Sequence, residues 1–273
     1  MPRLTPLALA AVTLLAPALG CRHAIPAAAE AACQRPGPAP AALRAQVEAL
    51  TTRFAPRDFG HPANLDAAAA HLAAELRAAG ARVHEQPFTV GDREYRNVVA
   101  EVGPETAERI VVGAHYDTAG DQPGADDDAS GVAGLVELTR LLARDSPPLR
   151  VELVAYTLEE PPNFRTRHMG SAVHAADLAG RGAKVRLMIS LEMIGAFSDH
   201  SYYWAHGFPA VMVTDTAFMR NGRYHTAEDT PDTLDYARMA EVVRGVRCAV
   251  EAVARRQPAA PPQRKGRWAA EAE

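Results

Sequence analysis

The feature that most constrains this chain is a series of short apolar runs separated by segments of helical periodicity. RIVVGA occupies 109–114, VELVAY 151–156, a largely apolar stretch 185–194 and AVMVT 210–214. Continuous apolar runs of this length suit strands buried on both faces. Helical patterns at 131–143, 171–178 and 236–255 alternate with them. That alternation calls for a mostly parallel sheet covered by helices on both sides. Upstream, 41–50 and 64–79 have helical spacing with Gly80 as a stop signal, 82–90 alternates as a strand does, and 97–102 follows as another. The expected fold is therefore α/β, a three-layer α/β/α arrangement around a mostly parallel, mixed central sheet. A chain of 273 residues can build one such domain with a sizeable core, and no internal repeat is visible.

The ends read differently. Residues 1–20 have Arg3 ahead of an apolar run at 4–18 that is too short for a permanent membrane span, and they read as a signal peptide. The run ends in Ala18, Leu19, Gly20 and Cys21, small residues before a cysteine, as at a lipoprotein cleavage site; an ordinary signal peptide cut nearby is the alternative. Either form sends the protein out of the cytoplasm, to the periplasm, an outer membrane or the medium, with membrane contact only through a lipidated Cys21. Residues 21–40 are rich in Ala and Pro and read as a tether, 41–256 as the domain, and 257–273 as a disordered tail. Of the three cysteines, Cys33 and Cys248 remain for either a disulfide or two free thiols, and the lack of a CxxC pair argues against cysteine ligation of zinc. A net charge of -4, with scattered Arg and Lys, gives no footprint for nucleic acid.

Acidic and histidine residues gather just after the expected strands, the edge where open α/β sheets build their sites. The clusters are GAHYD (113–117), GADDDASG (124–131), LEEP (158–161), LEMIG (191–195) and YHTAEDT (224–230). Taken singly each has a plain explanation: a hydrogen-bonded structural histidine, a solvated aspartate turn or helix cap, a surface glutamate pair. Glu192 is harder to explain, because it lies in an apolar strand where an unpaired charge is costly. Imidazole and carboxylate together suit Zn²⁺. One histidine and one carboxylate per metal, with one shared carboxylate, needs five residues, which the clusters offer. Two metals about 3.5–4 Å apart would polarise a carbonyl and activate a bridging water. Of the adjacent Glu159 and Glu160, one can ligate while the other moves protons, provided that a bend turns both to the same side.

In this order the motifs VVGAHYDT, PGADDDASG, LEEPP and RYHTAEDTPDTLDY resemble the two-zinc aminopeptidase family, which includes bacterial leucyl aminopeptidases, glutamate carboxypeptidases and glutaminyl cyclases. The resemblance covers roughly 65–255 and implies a zinc-exopeptidase-like fold with two Zn²⁺ per chain. It implies that His115 binds the first zinc, that Asp126 bridges both, that Glu160 and His225 bind the second, and that Glu192 completes the first. Many members have aspartate at the position of Glu192. Glu159 would be the general base, and Asp117 would hydrogen-bond His115 and fix its tautomer. In such proteins the peptide bond after the bridging aspartate is often cis, which implies Asp126–Asp127 here.

The implied activity is that of a metallo-exopeptidase, an aminopeptidase acting on peptides with a free N-terminus. Tyr202, Tyr203, Trp204, Met193 and Phe218 are candidates for an apolar pocket, with plain core packing as the alternative for each. A glutaminyl cyclase with one zinc, a carboxypeptidase using Arg165, Arg167 or Arg220, and a zinc-binding lipoprotein without turnover are the alternatives. One departure bears on all of them. Only 33 positions separate Glu192 from His225, where relatives carry a longer segment, so the chain reads as truncated at one sheet edge by an internal deletion. The expected cost is an exposed strand edge beside 185–194.

Overall fold

A computed structural model describes residues 30–31, 33–193, 199–214, 219 and 221–256. Residues 1–20, expected as a signal peptide, Cys21, the tail from 257, Phe218 and Arg220 lie outside the described residues.

The domain opens with two helices, α1 (Pro40–Arg53) and α2 (Pro62–Ala78), each with a proline in its first turn, where the missing N–H costs nothing. An antiparallel hairpin follows, β1 (Arg82–Val90) and β2 (Arg93–Val102). Then come β3 (Glu108–His115), α3 (Gly131–Asp145), β4 (Arg150–Tyr156), α4 (Gly170–Gly180), β5 (Lys184–Leu191), α5 (His200–Ala205), β6 (Ala210–Val213) and α6 (Tyr236–Arg255). The sheet order is β1-β2-β4-β3-β5-β6. β3, β4, β5 and β6 run parallel, and β2 joins β4 antiparallel. This is the mixed, mostly parallel sheet expected from the apolar runs.

Helices cover both faces. α1, α2, α3 and α6 enclose the larger core, in which Leu43, Leu72, Ile110, Leu135, Leu153 and Val250 are fully buried. α4 and α5 close the other face over Val111, Val154, Tyr156, Leu178, Met188 and Tyr203. The central strands are apolar on both sides because both sides are covered, which is why RIVVGA and VELVAY show no alternation.

Two expectations about the frame change. The strand at 184–191 is not a sheet edge, because β6 pairs with it from Met188↔Ala210 to Leu191↔Val213. The edge is β6 itself, four residues long, with Val211 46% exposed. Its shortness limits the ladder that another strand could join. The described part of the supposed tether, 33–39, is not free either. Cys33 is disulfide-bonded to Cys248 of α6 across a sequence separation of 215. Arg247 of α6 donates to the Pro36 carbonyl at 3.1 Å, Arg244 donates to the Cys33 carbonyl at 3.0 Å, and Arg35 pairs with Asp145 at 2.5 Å. No described helix is long and apolar enough to cross a membrane.

Candidate metal centre

The carboxyl ends of β3, β4 and β5 deliver His115, the Glu159–Glu160 pair and Glu192 to one end of the sheet. A wide turn at Ala125–Ser130, ahead of α3, brings the three aspartates, and a loop before α6 brings His225. His115 Nε2 lies 3.2 Å from Glu192 Oε1, 3.2 Å from Asp127 Oδ1 and 3.9 Å from Glu159 Oε2. His225 Nε2 lies 3.0 Å from Asp127 Oδ2 and 3.1 Å from Glu160 Oε1. The two oxygens of Asp127 thus face two different histidines, each with a glutamate beside it.

Among the five residues expected as ligands, the structure brings together His115, Glu160, Glu192 and His225, and it replaces Asp126 with Asp127. Asp126 is turned aside. Its Oδ2 accepts from Asn221 Nδ2 at 2.8 Å, and its carbonyl accepts from the Ser130 hydroxyl at 2.7 Å. The reason is backbone shape. Asp127 has φ −105 and ψ 95 and Asp128 φ −126 and ψ 37, two non-helical residues that kink the turn. One step along the chain therefore swings the side chain to a different side. The cis peptide bond is Asp127–Asp128, not Asp126–Asp127.

Three other aspartates hold backbone, and none of these roles is visible from residue type. Asp128 accepts the amides of His115 and Met193 at 3.3 Å each and of Gly131 at 3.1 Å, tying the end of β3, the chain after β5 and the start of α3 to one carboxylate. A Cβ on Gly131 would fall 2.5 Å from both Asp128 oxygens, so only glycine lets that carboxylate in. Asp229 accepts the amides of Asp126 and Asp127 at 2.9 and 3.1 Å. Asp117 accepts the amides of Glu159 at 3.1 Å and Glu160 at 3.0 Å. The bend needed to turn both glutamates inward occurs at Leu158, whose φ is +59. That is a left-handed conformation unusual for leucine.

Asp117 also meets the expectation that it touches His115, by two atoms. Its carbonyl lies 3.2 Å from His115 Nδ1 and its carboxylate 3.5 Å away. A carbonyl only accepts, so Nδ1 carries a proton and Nε2 is the ring atom turned to the carboxylates.

Beneath the acidic turn sits Arg57, fully buried. It donates to the carbonyls of Tyr116 (2.8 Å), Leu50 (2.8 Å), Pro123 (3.0 Å) and Gly124 (3.1 Å). Burial lowers its pKa to about 10, against the field of Asp117, Asp127 and Asp229, so it remains a cation under these loops. Gly124, with φ +60, must be glycine because a Cβ would meet the Asp127 carbonyl at 2.4 Å.

The charge balance tells which ligand the centre wants. Burial raises the Glu159 and Asp128 carboxyls well above the usual range, and burial with the Asp127 charge pushes Glu160 to about 8. Burial disfavours charged His115, but Glu192, Glu159, Asp117 and Asp127 outweigh it and raise the imidazole well above its ordinary value. His225 is carried to about 10, burial again being overcome by Asp127 and Glu160. Burial opposes the Asp127 anion, yet the two histidines hold its carboxyl well below the usual range. So many buried carboxylates bind protons tightly for want of positive charge, and divalent cations would replace those protons. The spacing fits. Zinc bonds of about 2.0–2.2 Å at a tetrahedral angle separate donor atoms by roughly 3.3 Å, close to the 3.0–3.2 Å found between the histidine and carboxylate atoms. His115, Asp127 and Glu160 also present one donor atom each, all within 4.8 Å of one another.

A cavity of about 260 Å³ opens beside Glu192 and Asp126, with walls from Leu191, Met193, Val213, Met239, Val242 and Val243. Of the described aromatic and apolar residues proposed for a pocket, Met193 lines it and Tyr202, Tyr203 and Trp204 do not. Tyr203 is core, its hydroxyl 2.6 Å from the Tyr156 hydroxyl and 2.6 Å from His174 Nδ1. Tyr202 donates to the Thr166 carbonyl, and Trp204 is 54% exposed with its ring edge-on to His200.

Comparison with known proteins places these observations in a wider set. The model for Peptidase family M28 matches residues 97–198. The uncharacterised protein YfbL of Escherichia coli K12 is 38% identical, over 76% of this chain and 86% of its own length. Its alignment runs to 281 positions, whereas 76% of 273 residues is about 207, so about 74 positions fall on residues that only the relative carries. Among solved structures, a glutaminyl cyclase of Fimbriiglobus ruber superposes with a TM-score of 0.69 at 20% identity, over 78% of this chain and 95% of its own. A leucine aminopeptidase precursor of Bacteroides thetaiotaomicron superposes with 0.68 at 20% identity, over 79% and 98%. At such identities the likeness concerns the fold.

Proposed function

The chain belongs to peptidase family M28, and from that membership and the geometry of the centre we propose that it is a zinc-dependent aminopeptidase removing N-terminal residues from peptides. The first zinc would be held by His115, Glu192 and Asp127, and the second by His225, Glu160 and Asp127. The observation that carries this reading is Asp127, with one oxygen 3.2 Å from His115 and the other 3.0 Å from His225.

Zinc, when bound, supplies Lewis-acid polarisation of the scissile carbonyl and lowers the pKa of a water. The remaining work falls to the chain. Glu159 takes a proton from the attacking water as the C–O bond forms, and it returns the proton to the amine as the C–N bond breaks. Its burial gives it the proton affinity that this shuttle requires. Asp117 supports the step by fixing the amides on either side of the Glu159 carbonyl, so that the base and its ligating neighbour cannot move apart. The apolar walls of the cavity beside Glu192 favour an apolar side chain at the substrate's first residue.

Export also belongs to the proposal. The Cys33–Cys248 disulfide supports an oxidising compartment, in keeping with the leader and Cys21. A glutaminyl cyclase of the same fold is the competing activity, and it would need one zinc and cyclise an N-terminal glutamine.

The test is zinc-dependent hydrolysis of aminoacyl-anilides by the wild-type chain and by His115→Ala and Glu160→Ala. Loss of turnover in both variants, with two zinc ions bound by the wild type, supports the aminopeptidase. Full activity in both variants would sink it. One zinc with cyclisation of a Gln-peptide would reassign the enzyme, and zinc binding with no turnover would make the chain a binding protein.

A further inference from the structure

His225 lies beyond the shortened interval, on a loop with neither strand nor helix of its own, and its φ is +57. Something other than regular structure must bring it to Asp127. The loop grips the aspartate turn at two points besides the histidine. At one end, Asn221 Nδ2 donates to Asp126 Oδ2 at 2.8 Å. At the other, Asp229 accepts the amides of Asp126 and Asp127, one on each oxygen, and its own carbonyl accepts the Ala125 amide at 3.2 Å. Asp229 is fully buried. Short internal bonds close the loop between these points. The Arg223 amide donates to Asn221 Oδ1 at 3.0 Å, the Thr226 amide to the Arg223 carbonyl at 3.0 Å, and the Asp229 amide to the Thr226 carbonyl at 3.2 Å.

We propose that Asn221 and Asp229 are positioning residues that lock the 221–229 loop to the aspartate turn, so that His225 and Asp127 meet without a strand or helix to carry the histidine. Asp126, expected from the motif to bridge the metals, serves as the receiver of Asn221. Asp229 holds the backbone on both sides of the Asp126 carbonyl, so it sets the direction of the shared carboxylate as well as that of the loop. The inference rests on the two-zinc reading and makes a claim specific to one half of the centre. His115 and Glu192 stand on strand ends outside the clamp, so loosening the clamp affects the second zinc before the first.

The experiment titrates zinc into metal-stripped wild type, Asn221→Ala and Asp229→Asn against a competing chelator, reading stoichiometry and affinity for each equivalent. The wild type takes up two equivalents. Asn221→Ala keeps the first at wild-type affinity and binds the second about 10–100-fold more weakly, as loss of a partner that orients a ligand does. Asp229→Asn shifts in the same direction, and excess zinc restores kcat in Asn221→Ala. An unchanged melting temperature of metal-free Asn221→Ala separates positioning from folding, and this variant decides the matter if Asp229→Asn does not fold. Two equivalents at wild-type affinity in Asn221→Ala overturn the proposal alone. A wild type that takes up fewer than two overturns the two-zinc reading and the proposal with it.

Discussion

Nε2 of His225 lies 3.0 Å from Oδ2 of Asp127, although the two residues are 98 positions apart in the chain. The neighbouring aspartate Asp126 carries the same side chain and points elsewhere. Asp127→Ala is therefore expected to lose both zinc ions and at least about 10³-fold in kcat/KM, the scale of removing a group on which the reaction depends. Asp126→Ala should keep the first zinc. Metal analysis after gel filtration checks both, and equal zinc loss in the two variants would contradict the assignment of Asp127.

Glu159 approaches His115 no closer than 3.9 Å and belongs to neither histidine–carboxylate group. Its predicted role is proton transfer. Glu159→Gln should retain two zinc ions and near-normal KM while kcat falls by about 10²–10⁴-fold. Zinc content and steady-state kinetics on an aminoacyl-anilide measure this directly, and lost zinc in place of lost kcat would make Glu159 a ligand.

The disulfide joins the N-terminal segment to α6 across 215 positions. A cross-link of that span removes much freedom from the unfolded chain, and opening it should cost about 2–5 kcal/mol. Urea unfolding with and without reductant, and of Cys33→Ala with Cys248→Ala, gives the number. Because the link lies away from the metal centre, zinc stoichiometry should not change below the unfolding transition.

His174 predicts a pH dependence remote from the metals. Burial, with Arg181, Arg109 and His84 nearby, lowers its pKa to about 3, while an unfolded histidine titrates near about 6.5. Between those values the unfolded chain takes up a proton that the folded chain refuses. This contribution is therefore complete above about pH 6.5 and is lost as the pH falls toward 3, at up to about 1.4 kcal/mol per unit. His174→Asn places an amide near the Tyr203 hydroxyl and removes the titration. Unfolding free energies of the metal-free proteins between about pH 4 and pH 7 should show a steeper decline for the wild type than for the variant. Parallel curves would dismiss the effect.

Much of the frame was legible because its causes are local. The apolar runs at 109–114 and 151–156 are strands buried on both faces, as short unbroken runs between helical segments suggest, and the alternation at 82–90 matches its strand to the residue. The candidate residues His115, Glu159, Glu160 and Glu192 stand at or just after the ends of apolar strands, while His225 was named with them by its motif. The bend that turns Glu159 and Glu160 inward was foreseeable as a need, though not as a left-handed Leu158.

By itself the sequence determined the layered α/β fold and the histidine and carboxylate make-up of the centre, because hydrophobic period and residue type act along the chain, and its motifs carried the resemblance to the family. Which of three consecutive aspartates faces the histidines was a matter for tertiary structure. Side-chain direction changes with every residue, and the turn that sets it is held by Asp229, more than a hundred positions away. The same holds for Arg57, Asp128 and Asn221, whose partners are backbone groups or side chains brought near only by folding. It holds as well for the sheet edge, where β6 covers β5 and the His225 loop closes on the aspartate turn, joining segments that the spacing along the chain had left apart.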